Sequence, residues 1–330
     1  MSTPWMNRRA ALLAGLACLA AGVPAGASAA AFPERPIRLV VGFPPSGGAD
    51  IVARLVAQRL GEALGASVVV DNKPGANGTI AAADVARSPG DGYTLLLGVP
   101  ASQSISPALM SKLPYDAARD FTPISIIGST PLVLVVNPKL PVKNVQEFIA
   151  LVKASKDSVP YGSAGVGNIT HMAAELFVQT TGTRNLRHIP YKGSSQVITD
   201  LIGGQVQAYF DTLPSSLPFI QSGQLRALAV TSTSRASAAP DVPTMLESGV
   251  KDYSPTNWFG LLAPARLDKA VLAQVHAALV AGFRDAEARK SLTAKGVEPV
   301  FNDPEQFRSE LDADQERWRM VTRKSGIVLE

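Results

Sequence analysis

The stretch from Ile37 to Leu60, IRLVVGFPPSGGADIVARLVAQRL, constrains the fold of this chain more than any other segment. Its first residues form an apolar run rich in β-branched side chains, which predicts a buried strand. Pro44–Gly48 cannot continue a strand, because prolines lack N–H groups and glycines favour tight turns. From Ala49 the apolar residues recur at helical spacing, so a helix should begin there. Such a helix start presents unpaired N–H groups and a positive dipole end, which suits an anion; the alternative is a turn that holds no ligand.

The same strand, glycine loop and helix recur in the second half of the chain. A short strand is predicted at Val159–Tyr161, a loop at Gly162–Asn168 and a helix from Ile169, with Asn168 placed to cap it. Strand and helix signals alternate along most of the chain, which is typical of an α/β fold with mainly parallel sheets. Ligands of such folds bind beyond the carboxyl ends of strands, so we expect the two loops to face one cleft.

Two segments are predicted to cross between domains. The apolar run Phe121–Val136 has Gly128 and Pro131 in its middle, which suits a strand that bends on passing from one domain to the other. The polar, Ala/Pro-rich segment Ser232–Pro243 is the candidate for the second crossing. The predicted division of the chain is a signal peptide at 1–29, domain 1 at 30–132 and 254–330, and domain 2 at 133–253.

The bulk composition excludes several classes of protein. The chain has 330 residues, of which 46% are hydrophobic and 18% charged, so it is long enough for two cores and is neither disordered nor fibrous. The formal net charge is +4, and no run of five Lys or Arg residues occurs. Nucleic-acid binding is therefore not expected.

The first 29 residues have the pattern of a cleavable secretory signal. Arg8 and Arg9 form a basic start, Ala10–Val23 is a short apolar run, and Ala27–Ala29 is a small-residue cleavage site. The apolar run is too short and too rich in Ala and Gly to span a membrane. We expect export to the periplasm, and the paired arginines leave a twin-arginine route open.

The only cysteine of the chain, Cys18, lies inside this segment. Gly15, three residues earlier, fits a lipoprotein signal poorly. After cleavage the chain has no disulfide, no thiol nucleophile and no cysteine metal ligand, which suits an oxidising compartment.

No constellation of catalytic residues is recognisable. His171, His188 and His276 have no metal-ligand spacing, and the nucleophile-elbow and phosphate-loop motifs do not occur. We therefore expect no catalytic residue, no metal and no cofactor, and a protein that is not an enzyme. His171 stands in the first turn after the second glycine loop and is a candidate ligand contact; the alternative is a structural histidine.

The candidate site consists of uncharged hydrogen-bond donors. Neutral donors hold a small carboxylate without the desolvation cost of burying a second full charge. The donors proposed from the two loops are Ser46, Gly47, Gly48, Ser163, Gly165, Gly167 and Asn168. The candidate site also includes Phe43 and Pro44 in the first loop, and Asn77 and Ser102 in two further small-residue loops.

Two acidic residues lie near the same loops. Asp50 either contacts the ligand or is a first-turn residue that completes a capping box. Asp211 follows a predicted strand at Gln205–Phe210. It either accepts from a ligand hydroxyl or ammonium group, or fixes a bridging water, or forms an Asx-turn.

Seven segments, in order along nearly all of the mature chain, carry a family resemblance. They are Pro36–Arg54, Asp71–Gly78, Asp91–Gly98, Tyr161–Gly167, Pro190–Gly193, Asp241–Thr244 and Trp258–Pro264. In these segments the chain closely resembles the Bug-type extracytoplasmic solute receptors of the tripartite tricarboxylate transporter family.

The resemblance implies a periplasmic binding protein of two α/β domains, with a type II-like, Venus-flytrap architecture. It implies that the loops Phe43–Asp50 and Ser163–Asn168 hold the proximal carboxylate of a solute, partly through ordered water. Asp211 matches an acidic position of the family, and Ser46 stands where the family often has glycine. The partner implied is a two-component membrane permease, and we expect the receptor to be a monomer.

Three functional hypotheses follow from the sequence. The leading one is a receptor that captures a mono-, di- or tricarboxylic acid, or an amino-acid-like acid, and delivers it to the permease. The second is a two-lobed α/β enzyme acting on a small organic acid. The third is a receptor that senses the ligand for a signalling partner.

Overall fold

The computed structural model describes residues 32–325, so the predicted signal peptide with Arg8, Arg9 and Cys18 lies outside the described residues. The described residues from Arg35 onward pack as one compact unit. The strands are β1 (Ile37–Val41), β2 (Val68–Asn72), β3 (Thr94–Gly98), β4 (Phe121–Val136), β5 (Val159–Ser163), β6 (Leu186–Pro190), β7 (Ala208–Thr212), β8 (Arg226–Val230), β9 (Thr256–Pro264) and β10 (Glu298–Pro299). The α-helices are α1 (Gly48–Leu64), α2 (Thr79–Ala86), α3 (Ser106–Leu109), α4 (Val145–Ala154), α5 (Ile169–Thr181), α6 (Ser194–Gly203), α7 (Leu213–Gln221), α8 (Lys269–Gly282), α9 (Ala286–Thr293) and α10 (Pro304–Ser325).

The 16-residue strand β4 divides the fold into two lobes. Its first part pairs with β9 as far as Pro131, and from Leu132 onward it pairs with β7 and β8. The first lobe contains the strand order β2-β1-β3-β9-β4, and the second contains β4-β7-β5-β6. The predicted strand Phe121–Val136 is therefore found with those bounds, and it changes partners close to Pro131.

The sheet is mixed. β1 runs parallel to β2 and β3, and β5 runs parallel to β6 and β7. β4 and β9 are antiparallel to each other and to their other neighbours. The expectation of mainly parallel sheets therefore holds for the strands that lead into the glycine loops. It does not hold for β4 and β9, which run antiparallel to their neighbours.

The second crossing is not at Ser232–Pro243, as the composition suggested. That segment stays with the second lobe, because Val230 N–H bonds to Pro243 O and Val242 packs on the core beside β8. Tyr253 is still buried in the second-lobe core, and the chain joins the first lobe where β9 begins. A polar, Pro-rich composition marks a loop, but it does not say which elements the loop connects.

A shared core holds the lobes together away from the cleft. Leu109 of α3 and Trp318 of α10 belong to the same buried cluster as Phe148 and Phe177 of the second lobe. The helix α10 therefore packs on both lobes, and the domain boundaries assigned above stay a prediction. Across residues 32–325, no helix combines the length and apolar character needed to cross a membrane.

Candidate functional site

A cavity lies between the two lobes. Among the described residues that line this cavity, none carries a formal charge. The first lobe contributes the β1–α1 loop, the end of β3 and part of β9, and the second lobe contributes the starts of several helices. The cavity is thus enclosed by main-chain groups, hydroxyls, amides and apolar side chains.

The start of α1 forms one wall of this cavity. Gly47 is the N-cap of α1 and makes no side-chain capping bond, while Gly48 and Ala49 are the first helical residues. N–H groups at this end of a helix lack partners within the helix. They are therefore available to an acceptor in the cavity, and the helix dipole favours an anion there.

The side chain of Asp50 fixes the conformation of the β1–α1 loop. Its buried carboxylate accepts hydrogen bonds from Ser46 N at 2.9 Å, from Arg54 Nε at 2.8 Å and from Asn72 Nδ2 at 3.0 Å. Burial raises the pKa of Asp50, but the bonds from Arg54, Ser46 and Asn72 outweigh it, so the pKa lies below its ordinary value. An ionised Asp50 therefore fixes the loop, and Asp50 is not among the cavity-lining residues.

Helix starts of the second lobe form the opposite wall. Asn168 lines the cavity and caps α5, its Oδ1 accepting from Thr170 N at 3.1 Å. Ser194 and Ser195 line the cavity as the first residues of α6, which has no side-chain cap at Gly193. Thr212 lines it as the N-cap of α7. Four helix N-termini, including that of α1, therefore converge on one uncharged space.

A buried carboxylate, Asp211, lies behind Ser194 and Thr212. Its Oδ1 accepts from Ser194 Oγ at 2.9 Å, and its Oδ2 accepts from Ser215 Oγ at 2.6 Å and from Ser216 Oγ at 2.7 Å. The side chain is wholly buried and does not line the cavity. Burial raises the pKa of Asp211, and the bonds from the serine hydroxyls oppose that rise.

The second glycine loop is held by two stacked histidines. The rings of His171 and His188 lie 4.0 Å apart at 14°, and His171 Nδ1 accepts from Gly167 N at 3.1 Å. Ser163 Oγ lies 2.6 Å from His188 Nε2. That distance suits a nucleophile and its base, but Ser163 is fully buried and lines neither cavity described here. These groups support the loop.

Burial lowers the pKa of both histidines to about 4. For His188 the neighbouring His171 adds to the lowering, and Glu175 opposes it. Both rings are therefore neutral at pH 7. A neutral His171 keeps Nδ1 as the acceptor that Gly167 requires.

A second space lies between the lobes beside the first, and Phe43 and Ala164 line both spaces. The lobes touch there, because Asn77 Nδ2 donates to Val166 O. Among the described residues that line either space, Lys192 alone carries a formal charge. The two spaces form an uncharged inner chamber and an outer chamber with one cation.

The predicted site residues separate into three groups. The inner chamber is lined by Phe43, Pro44, Gly47, Gly48 and Asn168. The outer chamber is lined by Phe43, Asn77 and Gly165. Seven others lie outside both linings and support the loops or the walls: Ser46, Asp50, Ser102, Ser163, Gly167, His171 and Asp211.

Sequence reasoning missed part of the cavity wall. Ser194 and Ser195 were not among the predicted site residues, but they begin α6 and line the cavity. The strand and glycine that precede them repeat the pattern of the first two loops and could have identified them. α7 was not predicted, because its sequence, LPSSLPFIQ, carries two prolines and two serines. Asn257 and Phe259 of β9 reach the cavity only through the order of the strands.

Comparisons with known proteins agree with this geometry. A family model described as "Tripartite tricarboxylate transporter family receptor" matches residues 52–327. The chain is 37% identical to the protein BugT of Bordetella pertussis, over 98% of this chain and 99% of the relative.

Two of the similar proteins have been solved with bound ligands. An R. palustris protein solved with adipate is 34% identical, with a TM-score of 0.87 over 90% of this chain and 99% of its own. MatC from Rhodopseudomonas palustris, solved with bound malate, is 29% identical, with a TM-score of 0.82 over 88% of this chain and 99% of its own.

Proposed function

This chain belongs to the tripartite tricarboxylate transporter receptor family and is a solute-binding receptor; we propose that its solute is a small dicarboxylate, clasped between the lobes. One carboxylate lies in the inner chamber and the other reaches the outer chamber. The residues of the sequence-based site that line these chambers contact the solute, and the others hold them in place.

One observation carries this proposal, the convergence of four helix N-termini on an uncharged chamber. Main-chain N–H groups and helix dipoles stabilise an anion, and a chamber without fixed charges does so without desolvating a second ion. An amine or a neutral sugar would find no such preference. A carboxylate of a small acid is the anion that fits these donors.

Lys192 is the reason to propose a second carboxylate on the solute. Among the described lining residues it is the one formal charge, and it lines the outer chamber, which shares Phe43 and Ala164 with the inner chamber. A solute with anionic groups at both ends would meet helix N-termini at one end and a cation at the other. The relatives solved with adipate and with malate both carry dicarboxylates.

We further propose that the receptor delivers its solute to a membrane permease. The family consists of transporter receptors of the periplasm, which implies a permease partner. We propose that the basic and apolar segment at 1–29 is a cleavable export signal and that the mature receptor acts as a monomer. Closure of the two lobes on the solute would give the permease a form to recognise.

The test is a thermal-shift and calorimetry screen of mono-, di- and tricarboxylates against the mature protein. At a hundred times its dissociation constant, a ligand stabilises the folded state by about 2.7 kcal/mol, enough to raise the melting temperature clearly. No stabilisation by any carboxylate would refute the proposal. If the bound acid is recovered unchanged from the complex, the protein acts as a receptor and not as an enzyme. If deletion of the gene abolishes uptake of the acid, the protein acts in transport and not in sensing.

A matched pair of variants localises the site. A Cβ at Gly48 would stand 2.6 Å from Thr212 Oγ1, whereas a Cβ at Gly203 would meet no atom within 4 Å. We expect Gly48→Ala to weaken carboxylate binding at least about tenfold, because it crowds the α1 end of the chamber. Gly203→Ala should leave affinity unchanged. Equal affinity in both variants would place the carboxylate elsewhere.

A further inference from the structure

One dipeptide of the sequence has a chemistry that solute binding does not use. Asn77-Gly78 is the single Asn-Gly pair of the chain, and Asn77 lines the outer chamber together with Gly165 and Val166 of the second lobe. Asparagine is thermally labile in proteins, because the main-chain nitrogen of the following residue attacks its side-chain amide. Glycine has no side chain to block that attack. Asn77 is therefore the asparagine of this chain whose following residue hinders the reaction least.

The reaction is an intramolecular displacement followed by hydrolysis. Gly78 N gives up its proton and bonds to Asn77 Cγ, while the bond from Cγ to Nδ2 breaks and Nδ2 leaves with that proton as ammonia. The product is a five-membered imide. Water then opens the ring at one of its two carbonyl carbons, which leaves either aspartate or isoaspartate at position 77. An uncharged amide has become a carboxylate, and water is the one co-reactant.

Two features of the first lobe slow this reaction. Gly78 N donates to Gly75 O at 2.9 Å, so the attacking nitrogen must first lose a main-chain hydrogen bond. Asn77 has a φ of 57° and a ψ of 28°, and closing the ring requires rotation about its Cα–C bond, out of this left-handed turn. Both features lie within one lobe, so they act whether the lobes are apart or together.

The second lobe adds a restraint that exists only when the lobes meet. Asn77 Nδ2 donates to Val166 O. A Cβ at Gly165 would stand 2.7 Å from Asn77 Oδ1. Both polar atoms of the amide therefore lie against the same loop of the second lobe. The amide carbon reaches Gly78 N only after the side chain has left this loop, which requires the lobes to separate.

We propose that Asn77 is a site of spontaneous deamidation and that closure of the two lobes protects it. The product opposes the closure that prevents it. A carboxylate at position 77 is an acceptor only, as the Val166 carbonyl is, so the two groups repel where the amide donated. A receptor that stays open is thereby converted into one that closes less readily. The inference depends on the movement of the lobes and not on the identity of the solute.

The first measurement establishes the site. The mature protein is incubated in mildly alkaline buffer, folded and in guanidinium chloride, and peptide mass spectrometry follows the change of –NH₂ to –OH at each asparagine. The internal control is Asn185, which Leu186 follows in the sequence. In denaturant we expect Asn77 to react about tenfold or more faster than Asn185, and in the folded protein Asn77 should react about tenfold or more slowly than in denaturant. Equal rates in either comparison would overturn the proposal.

A disulfide between the lobes tests the protection by closure. A Cβ at Gly193 would stand 3.8 Å from Pro44 Cβ, which is a usual Cβ–Cβ distance for a disulfide. Cys18, the only natural cysteine, belongs to segment 1–29 and is absent from the mature protein. In the variant Pro44→Cys, Gly193→Cys, we expect Asn77 to react about threefold or more slowly when oxidised than when reduced. Equal rates, or failure of the disulfide to form, would overturn the protection.

The same double-cysteine protein tests the effect of the product. Adding Asn77→Asp should slow formation of the disulfide about threefold or more, because the thiols meet only when the lobes close. Asn185→Asp is the matched control and should leave that rate unchanged, since Asn185 bonds to Ser155 O within the second lobe. Equal rates for the two additions would overturn the effect on closure.

Gly165→Ala gives an independent check that needs no cysteine. The added Cβ crowds Asn77 from the second lobe and keeps the lobes apart, so Asn77 should react about threefold or more faster than in the wild-type protein. Gly182→Ala, whose Cβ meets no atom within 4 Å, should react at the wild-type rate. Circular dichroism shows that each variant is folded. The same rate in both variants would overturn the role of the second lobe.

Discussion

The side-chain amide of Asn77 donates a hydrogen bond to the main-chain carbonyl of Val166, joining the first lobe to the second at the mouth of the cleft. Asn77 has a φ of 57°, a left-handed conformation that asparagine and glycine adopt more readily than other residues. The contact exists only while the lobes are together. It therefore adds to the stability of the closed form and not to the folding of either lobe.

Removing this contact should shorten the lifetime of the complex. Asn77→Gly keeps the left-handed backbone and deletes one neutral hydrogen bond, worth about 1 kcal/mol or about fivefold in affinity. We expect faster ligand dissociation with little change in association, measured by stopped-flow fluorescence. Asn185→Ala removes a side-chain bond to Ser155 O within the second lobe and serves as the control. An unchanged dissociation rate for Asn77→Gly would show that this contact does not stabilise the closed form.

Gly165 faces the same asparagine and should not tolerate a side chain. It has a φ of 141°, and a Cβ there would stand 2.7 Å from Asn77 Oδ1. We expect Gly165→Ala to weaken ligand binding about tenfold or more, because it combines backbone strain with a clash between the lobes. Gly182→Ala also places a side chain at a positive φ, of 71°, in the less strained left-handed region, and that side chain meets no atom within 4 Å. It should reduce stability and leave affinity intact, and similar affinities in the two variants would contradict the argument.

Neutralising Asp50 should loosen the first loop. Asp50→Asn removes the charge that Ser46 N, Arg54 and Asn72 surround, and we expect a loss of about 1–3 kcal/mol in the free energy of unfolding. Urea denaturation gives this value. The exposed pair of Arg319 and Glu316 provides the control, since Glu316→Gln should cost about 0.5 kcal/mol or less. Equal losses for the two variants would show that Asp50 has no special role.

The stacked histidines should make the protein acid-sensitive. The folded-state pKa of His171 and His188 is about 4, whereas histidine in an unfolded chain titrates near about 6.5. The unfolded state therefore binds more protons between these values, and stability falls as the pH drops from about 6.5 to about 4, while it stays level above that range. For the more buried His171 the loss is on the order of 3 kcal/mol.

The variant His171→Gln tests the origin of this slope. Glutamine does not titrate, so chemical unfolding of the variant at several pH values should give a smaller slope between about pH 6.5 and about pH 4. The same slope in the variant and the wild-type protein would assign the acid sensitivity to other groups.

Much of the fold could be predicted because its signals are local. The β1–α1 unit, the strand Phe121–Val136 and the cap at Asn168 each follow from residues that are neighbours in the sequence. The crossing at Ser232–Pro243 was wrong and α7 was missed, because loop composition does not state a connection and prolines disfavour a helix without forbidding its first turn.

The sequence by itself determined the strand, glycine loop and helix units, and with them the helix N-termini that suit an anion. Only the tertiary structure decided which of those ends meet, that Asp211 lies behind Ser194 and Thr212, and that Lys192 lies in the outer chamber. The physical reason is that local backbone preferences act over a few residues, whereas these contacts depend on strand order and on the packing of one lobe against the other. A hydroxyl on a loop is a donor or an acceptor only after its neighbours in space are fixed.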